Sequence, residues 1–197
     1  MSYGLLSALA LFAFVSSITP GPNNLMLMAS GANFGFRRSI PHMLGIGIGF
    51  TVMLILVGAG LVQLFDAWPP SYLLLKTLSV TYLLWLAWKV ATAAGLRAQN
   101  AKARPMTFLQ AAAFQWVNPK AWAMALSAMT TYAPDRSVAA VLVVAAVFGL
   151  INLPSVSTWT IMGQQMARWL TNPRRRVAFN VTMAALLVAS LYPVLRH

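Results

Sequence analysis

The sequence predicts an all-α integral membrane protein with six transmembrane helices, arranged as two inverted three-helix repeats with broken first helices. Three observations predict this class. The 197 residues are 59% hydrophobic and 8% charged, with a mean hydropathy of +0.71. Long apolar runs recur along the whole chain, and prolines interrupt the run that opens each half.

The apolar runs account for most of the chain. A transmembrane helix needs about 20 apolar residues, so this composition provides about six spans and leaves no separate soluble domain. The runs cover residues 4–33, 40–64, 71–93, 107–131, 137–163 and 177–195. We therefore expect one membrane domain, residues 1–197, with repeat one near 1–95 and repeat two near 105–197. No lysine or arginine precedes Arg37, so we interpret the first run as a span and not as a cleaved signal peptide.

The charge distribution predicts the orientation. Fourteen lysines and arginines against two carboxylates give a net charge of +12, which in a soluble protein would indicate a nucleic-acid partner. Here the basic residues lie between apolar runs, so we expect no nucleic acid and interpret them as topology signals. Most fall on one side of the membrane, namely Arg37, Arg38, Lys89, Arg97, Lys102, Arg104, Arg168, Arg174, Arg175 and Arg176. The other side holds Lys76, Arg136 and Arg196. Because basic loops stay cytoplasmic, both termini are expected outside.

The residue types limit the chemistry at membrane depth. The chain has no cysteine, and its two carboxylates, Asp66 and Asp135, fall in predicted outer loops. Thiol nucleophiles, acid–base pairs and carboxylate-held metals are therefore missing from the spans. We expect no enzyme activity, no metal site and no cofactor.

The paired breaks are the strongest local signal. Thr19-Pro20-Gly21-Pro22-Asn23-Asn24 lies in the first run and Asn118-Pro119-Lys120 in the fourth, about half a chain apart. Three spans per group make the second group enter from the opposite side, so the halves are inverted. Thr19 and Asn118 directly precede a proline and are predicted helix N-caps. New half-helices starting there would aim their N–H groups at a central anion.

Each break also removes hydrogen-bond donors from nearby carbonyls. In continuous helices the prolines would leave the carbonyls of Ser16, Ile18 and Gln115 without their usual donors, and these oxygens are predicted to hold an ammonium group or water. The alternative is a kink without a binding role. We favour binding for the paired breaks and the kink for Pro154.

Lys120 lies about 20 Å deep in the fourth run, at 1.5 Å per residue. A lysine at mid-span costs about 2.5–3.5 kcal/mol, and neither carboxylate is a predicted partner. Three forms of compensation are open: the amine is uncharged, it pairs with backbone carbonyls, or it holds a substrate carboxylate. The competing interpretation is a snorkelling lysine or a misplaced span boundary.

Two features of the second run have weaker predictions. Gly45 and Gly49 form a small-xxx-small pair that favours close helix packing, and such faces would equally support a homodimer. His42, at the predicted cytoplasmic mouth of this run, is a candidate proton relay.

These residues resemble those of the LysE/RhtB family of bacterial amino-acid exporters along essentially the whole chain. The segments that carry the resemblance are Thr19 to Asn24, Gly35-Phe36-Arg37-Arg38-Ser39 in the predicted first loop, the glycines of the second run, Tyr82 to Lys89, and Phe114 to Ala121. Within the family, Asn23-Asn24, the Trp-Leu-Ala-Trp-Lys stretch and Gln115 to Lys120 are most similar to members that export cysteine and O-acetylserine.

The resemblance implies a secondary exporter in the bacterial inner membrane. It implies export of small neutral amino acids or derivatives, cysteine/O-acetylserine-like or threonine/homoserine-like, by exchange driven by the proton motive force. The expected substrate-binding residues are Thr19, Pro20, Gly21, Pro22, Asn23, Asn24, Gln115, Asn118, Pro119 and Lys120.

One departure from the family pattern concerns the coupling ion. Some members carry an acidic residue after the paired glycines of the second span, where this chain has Phe50. A buried acid is therefore not expected to couple protons, and cationic substrates lose their counter-ion. Lys120 and His42 are the remaining candidates for proton coupling.

The alternative function is an aquaporin-like channel for small neutral solutes, because aquaporins also have paired Asn-Pro breaks in inverted three-helix repeats. Here the breaks lie within full-length spans, and one of the two is Asn-Pro. Saturable, gradient-dependent efflux would distinguish a carrier from a pore.

Overall fold

The computed structural model describes residues 2–96, 104–135, 137–192 and 195, and within these ranges it is helical without strands. The helices are α1 (Tyr3–Ile18), α2 (Pro22–Phe34), α3 (Phe36–Gly58), α4 (Leu61–Ala67), α5 (Pro70–Leu96), α6 (Phe108–Phe114), α7 (Pro119–Tyr132), α8 (Val138–Met166) and α9 (Pro173–Ala189). A 3-10 turn, Gln115–Val117, continues α6.

Several helices have the length and apolarity of membrane spans. Among the described residues these are α3, α5 and α8, and α1 with α2 forms a fourth as a pair bent by 55°. The other two predicted runs correspond to α6 with α7 and to α9. They fall short because α6 has 7 residues and α9 has 17, and α9 carries three arginines in its first turn.

The first break lies where it was predicted, but its capping differs. Thr19 ends α1 as its C-cap, and α2 begins at Pro22 with Gly21 as its N-cap. The prediction that Thr19 is an N-cap is therefore wrong. The reason is the second proline, because Pro22 takes the first helical position and shifts the start of the helix by two residues.

The second break has the predicted chemistry. Asn118 is the N-cap of α7, and its side-chain oxygen accepts a hydrogen bond from the Lys120 backbone N–H at 3.2 Å. Pro119 occupies the first helical position, where its missing N–H costs nothing. The first apolar run of each half is thus interrupted.

Helix boundaries correct two other sequence predictions, and the kink at Pro154 stays a prediction, because continuity of the helix does not test it. The segment from Gly35 to Ser39 is not a loop, because α3 begins at Phe36 and Gly35 (φ 78°) makes the turn by itself. Lys89 lies in α5 and Arg174 to Arg176 in the first turn of α9, so these basic residues are helical. Helix α8 runs through Pro154 without a break. Arg97, Lys102, Arg136 and Arg196, which the orientation also uses, lie outside the described residues.

The helices of the two halves pack on one another in a reciprocal pattern. The broken first span of the first half, α1 and α2, packs on α8, whereas α6 of the second half packs on α3. Helix α3 also packs on α8, and α5 packs on α9. If α1 with α2, α3 and α5 are exchanged for α6 with α7, α8 and α9, the same set of packed pairs results.

Glycines allow the closest of these approaches. A Cβ atom added at Gly31 of α2 would lie 2.0 Å from the Thr160 carbonyl oxygen of α8, and one at Gly163 would lie 2.0 Å from the Met28 carbonyl oxygen. A Cβ atom added at Gly45 of α3 would likewise lie 2.4 Å from the Phe108 carbonyl oxygen of α6.

The packing role predicted for the glycine pair of α3 follows from these distances. A Cβ atom added at Gly49 would lie 2.6 Å from the Cα atom of Ala112 in α6. Gly45 and Gly49 therefore pack within the chain, and this glycine face is not available to a second copy.

The breaks lie between two apolar clusters. One cluster joins α1, the second half of α3, α7 and the first half of α8, and includes Leu9, Leu54 and Phe148. The other joins α2, α5 and α9 around Phe114 and Leu187. The polar residues Asn24, Gln115 and Asn118 of the breaks are buried in the bundle, whereas Thr19 is exposed.

Candidate functional site

The fold brings the two breaks into direct contact. The Asn23 side-chain amide donates to Gln115 Oε1 at 2.8 Å, and the Gln115 amide donates back to Asn23 Oδ1 at 3.2 Å. Gln115 also donates to the Ala111 carbonyl at 2.9 Å and is fully buried. Residues about half a chain apart thus form one polar centre.

Lys120 makes a second contact between the breaks, in which a side chain of the second break reaches the backbone of the first. Its Nζ atom donates to the Thr19 carbonyl oxygen at 2.7 Å and to Thr19 Oγ1 at 2.9 Å, with a longer contact to the Pro20 carbonyl at 3.4 Å. These oxygens lie at the C-terminal end of α1, where the helix dipole favours a cation. Of the three forms of compensation expected for Lys120, the structure contains pairing with backbone carbonyls.

Gly21 makes room for this lysine. A Cβ atom at position 21 would lie 2.5 Å from Lys120 Cδ and 3.2 Å from Nζ. The backbone of the first break therefore passes close to the side chain from the second. A larger residue at position 21 would displace the amine.

The carbonyls predicted to be open at the breaks already have donors. The Thr19 hydroxyl donates to Ser16 O at 3.0 Å, the Trp159 indole donates to Ile18 O at 3.0 Å, and the Asn118 backbone N–H donates to Gln115 O at 3.3 Å. The prediction that these three oxygens lack donors is wrong. A backbone acceptor buried in a membrane protein needs a donor, and neighbouring side chains supply most of them here.

Asn24 closes the remaining part of the first break. Its amide nitrogen donates to the carbonyls of Ser17 and Thr19, each at 2.8 Å. These two hydrogen bonds of the buried Asn24 side chain hold the turn between α1 and α2.

A small cavity lies at this polar centre. Its volume is about 20 Å³, and it is lined by Ser16, Ser17, Gly21, Asn23, Asn24, Phe50, Gln115, Asn118, Lys120, Ala121, Met124 and Asn152. About 10–15 Å³ is enough for one water, whereas small-molecule pockets occupy about 300–1,000 Å³. In this conformation the cavity accepts a group the size of water and not a whole amino acid.

The structure places the predicted site residues in two environments. Gly21, Pro22, Asn24, Gln115 and Asn118 are buried, and Asn23, Pro119 and Lys120 are half-buried. Thr19 and Pro20 are exposed on the surface of the bundle.

Six of the twelve residues that line the cavity are not among the predicted site residues, namely Ser16, Ser17, Phe50, Ala121, Met124 and Asn152. Ser17 was obscured by its neighbours in an apolar run, and Phe50 was noted for the absence of an acid. Asn152 was assigned to a structural kink at Pro154, yet its side chain reaches the centre from α8. A lone asparagine within an apolar span was the signal that would have found it.

Two polar atoms of the central cavity have no hydrogen-bond partner within the described part of the chain. These are Ser17 Oγ and Asn152 Oδ1. Their residues are 4% and 6% exposed. Buried polar atoms without partners are rare in folded proteins, so these two mark a position for a missing hydrogen-bond partner.

A second and larger cavity opens between α2, α5 and the segment that precedes α6. Its volume is about 630 Å³, and its lining includes the cations Lys89 and Arg104 together with Tyr82, Trp85 and Trp88. Lys89 Nζ lies 4.3 Å from the centre of the Trp85 ring, a cation–π contact. This cavity, which we call the vestibule, has room for an amino acid.

His42 lies at the inner wall of the vestibule. It is 2% exposed, and within the described ranges neither ring nitrogen has a hydrogen-bond partner. The sequence placed it at the mouth of a span, whereas the structure buries it beneath the vestibule.

The comparisons with known proteins agree along nearly the whole chain. The model of LysE type translocators matches residues 14–190. A cysteine/O-acetylserine efflux protein of Salmonella choleraesuis is 31% identical over 186 residues, which is 93% of this chain and 94% of the relative. The protein of the same name from Escherichia coli is 29% identical over 190 residues, which is 95% of this chain and 96% of the relative. No solved structure matches the chain significantly.

Proposed function

The chain belongs to the LysE type translocator family, and from that premise we propose that it exports small neutral amino acids or their derivatives from the cytoplasm. The observation that carries the proposal is the meeting of two broken helices at one polar cavity with a lysine between them. Paired interruptions in corresponding spans mark the substrate sites of secondary transporters.

We propose that the membrane topology consists of six spans in two inverted repeats. The reciprocal packing supports this arrangement, because the first span of each half packs on the second span of the other. The short helices α6 and α7 together, and α9 by itself, supply the fourth and sixth spans. Both termini then face outward from the bacterial inner membrane, as the basic residues indicate.

The charges at the site suit a zwitterion. The N-terminal ends of α2 and α7 are positive and the C-terminal end of α1 is negative, and all three meet at the breaks. Lys120 has two short hydrogen bonds and one long contact, so the donor aimed at Pro20 is available to a substrate carboxylate. The relatives named for cysteine and O-acetylserine efflux support a small neutral substrate.

The vestibule is the proposed cytoplasmic entrance. It adjoins basic residues that the topology places inside, and Lys89 and Arg104 would attract a carboxylate to it. Because the central cavity is about 20 Å³, transport requires a rearrangement that opens it towards the vestibule.

Proton coupling is proposed to use His42 or Lys120. Each of these residues places a group that can carry a proton within a proposed span. The two carboxylates of the chain lie elsewhere, Asp66 in α4 and Asp135 after α7. His42 lies beside the entrance and Lys120 at the central cavity, so either position would link protonation to passage of the substrate.

The test is efflux from proteoliposomes loaded with labelled cysteine, O-acetylserine, threonine, leucine or lysine, with and without a pH gradient. We expect saturable, gradient-accelerated efflux of a neutral amino acid, which Lys120→Met abolishes. Lys76→Met is the matched control, because Lys76 lies in α5 and does not line the central cavity.

Each contrary result has a distinct meaning. Efflux unaffected by Lys120→Met would retain the exporter and reject the central site. Linear efflux without saturation would indicate a pore, and the absence of gradient-sensitive efflux for every compound would reject export of these amino acids.

A further inference from the structure

The central cavity contains two polar atoms that the proposed role of Lys120 does not use. Ser17 Oγ, in the last turn of α1, and Asn152 Oδ1, in the middle of α8, are buried without partners in the described part of the chain. Both residues line the cavity that also contains Lys120. A donor from outside the protein would satisfy them.

Three groups near these atoms favour a cation with N–H donors, provided that the substrate carboxylate lies between this cation and the Lys120 amine, which lines the same cavity. Asn152 Oδ1 can only accept hydrogen bonds, and Ser17 Oγ can accept them. The Phe50 ring lines the same cavity, and aromatic rings attract cations. The C-terminal end of α1, which carries Ser17, adds negative partial charge.

The size of the cavity matches this ligand. Its volume of about 20 Å³ holds one water-sized group, and an ammonium group has that size. The backbone carbonyls that the sequence offered for this role are occupied by Thr19, Trp159 and Asn118. The two side-chain oxygens are therefore the acceptors that have no donor at all within the described part of the chain.

We propose that Asn152 and Ser17 bind the α-ammonium group of the transported amino acid, opposite the carboxylate held by Lys120. The inference rests on the proposed export function and names the residues that read one end of the substrate. It predicts that the transporter selects amino acids over carboxylic acids that lack the amine.

The experiment compares substrates that differ by the amine. Inhibition of labelled cysteine efflux is measured with cysteine against 3-sulfanylpropanoate, and with threonine against 3-hydroxybutyrate. The readout is the ratio of half-inhibitory concentrations, so a general loss of activity cancels. Asn152→Leu removes one acceptor, and Ser17→Ala removes the other with minimal change in volume.

The matched control is Ser155→Ala. Ser155 lies one turn from Asn152 on α8 and is buried, but its hydroxyl donates to the Ile151 carbonyl at 3.0 Å and does not line the cavity. Equal yield and a single peak in size-exclusion chromatography verify folding of each variant. If Asn152→Leu does not fold, Ser17→Ala decides.

In the parent protein we expect a strong preference for the amine-bearing compound. Asn152→Leu should lower the preference about 10- to 100-fold, the effect of losing a hydrogen bond to a charged group. Ser17→Ala should lower it by at least threefold, and Ser155→Ala should leave it unchanged. Both changes in the ratio must come from a higher half-inhibitory concentration of the amine-bearing compound, which indicates that it binds more weakly.

If the ratio of half-inhibitory concentrations in the folded variants stays within twofold of the parental ratio, the inference is overturned. That result would indicate that the two oxygens hold a structural water. This outcome is distinct from failure of the proposed function, because it requires a parent protein that exports cysteine. A parent without saturable cysteine efflux would refute the function for this substrate before the variants are compared.

Discussion

Replacing Gly31 with alanine should destabilise the protein through one contact. The added Cβ atom would lie 2.0 Å from the Thr160 carbonyl oxygen and 3.1 Å from the Gln164 backbone nitrogen. Ordinary contact begins at about 3.4 Å, so α2 and α8 must separate by about 1 Å or more along this direction. Backbone atoms cannot rotate away as a flexible side chain can.

The expected loss follows from two opposing terms. Overpacking a tight interface costs about 1–3 kcal/mol and occasionally more. Alanine recovers about 1 kcal/mol through its higher helix propensity. Because a 2.0 Å approach to backbone lies at the severe end, we expect a net loss of about 2 kcal/mol. For a chain of this size that corresponds to a fall of about 4–8 °C in melting temperature.

The assay is thermal unfolding in one detergent, followed by the fluorescence of the seven tryptophans. Gly4→Ala is the control, because a Cβ atom at Gly4 in α1 meets nothing within 4 Å. The control should melt at the parental temperature or slightly above. A Gly31→Ala protein that melts within 1 °C of the parent would refute the packing argument.

Three further predictions concern contacts between the halves. Gly45→Ala should lower the melting temperature as Gly31→Ala does, because its Cβ atom would lie 2.4 Å from a backbone oxygen of α6; an unchanged melting temperature would place α3 farther from α6. Trp159→Phe removes the donor to the Ile18 carbonyl and should cost about 1–3 kcal/mol in unfolding free energy, with Trp169→Phe, at an exposed site, as control. Asn23→Leu and Gln115→Leu should be non-additive in unfolding free energy by at least 0.5 kcal/mol in a double-mutant cycle, since each removes the same pair of hydrogen bonds; additive losses would contradict the pairing.

The existence of the helices and of both breaks was predictable from local sequence. Apolar runs give the helices, and the prolines at 20, 22 and 119 give the breaks. The start of α2 was misplaced because two prolines compete for the first helical position, and sequence spacing does not decide between them. The start of α3 was misplaced because Arg37 and Arg38 end the apolar run while the helix extends through them.

The composition of the site was less predictable, because it depends on helices distant in sequence. Trp159 caps a carbonyl of α1 from α8, and Asn152 reaches the centre from the same helix. An asparagine within an apolar span marks Asn152 as unusual, but the sequence does not show which helix either side chain contacts. Lys120 was recognised from its cost at mid-span, but its partner Thr19 could be identified only when the helices were placed.

The closest backbone packing does not follow the sequence halves, and this bears on how the transporter moves. Gly31 and Gly163 bring α2 against the backbone of α8, and Gly45 and Gly49 bring α3 against that of α6. Contacts of this kind leave little freedom for separation, because neither side can repack. Each rigid pair therefore combines helices from both repeats.

The contacts between these pairs are softer. Helices α3 and α8 meet through side chains of the first apolar cluster, such as Phe50 against Phe148, and through glycines that face side chains, such as Gly47 against Leu153. Side chains can repack, so this interface allows small sliding motions. The two hydrogen bonds between Asn23, in α2, and Gln115, directly after α6, also cross this boundary. Beside them, the hydrogen bond from Lys120 to Thr19 joins α7 to the end of α1.

Alternating access is thus expected between α2 with α8 and α3 with α6, and not between residues 1–95 and 105–197 as rigid halves. A substrate carboxylate bound to Lys120 would compete with the 3.4 Å contact from its amine to the Pro20 carbonyl, which joins α7 to the break between α1 and α2 beside the central cavity. Substrate binding would then weaken the closed arrangement through the same amine that recognises it, which links occupancy to opening without a separate gate.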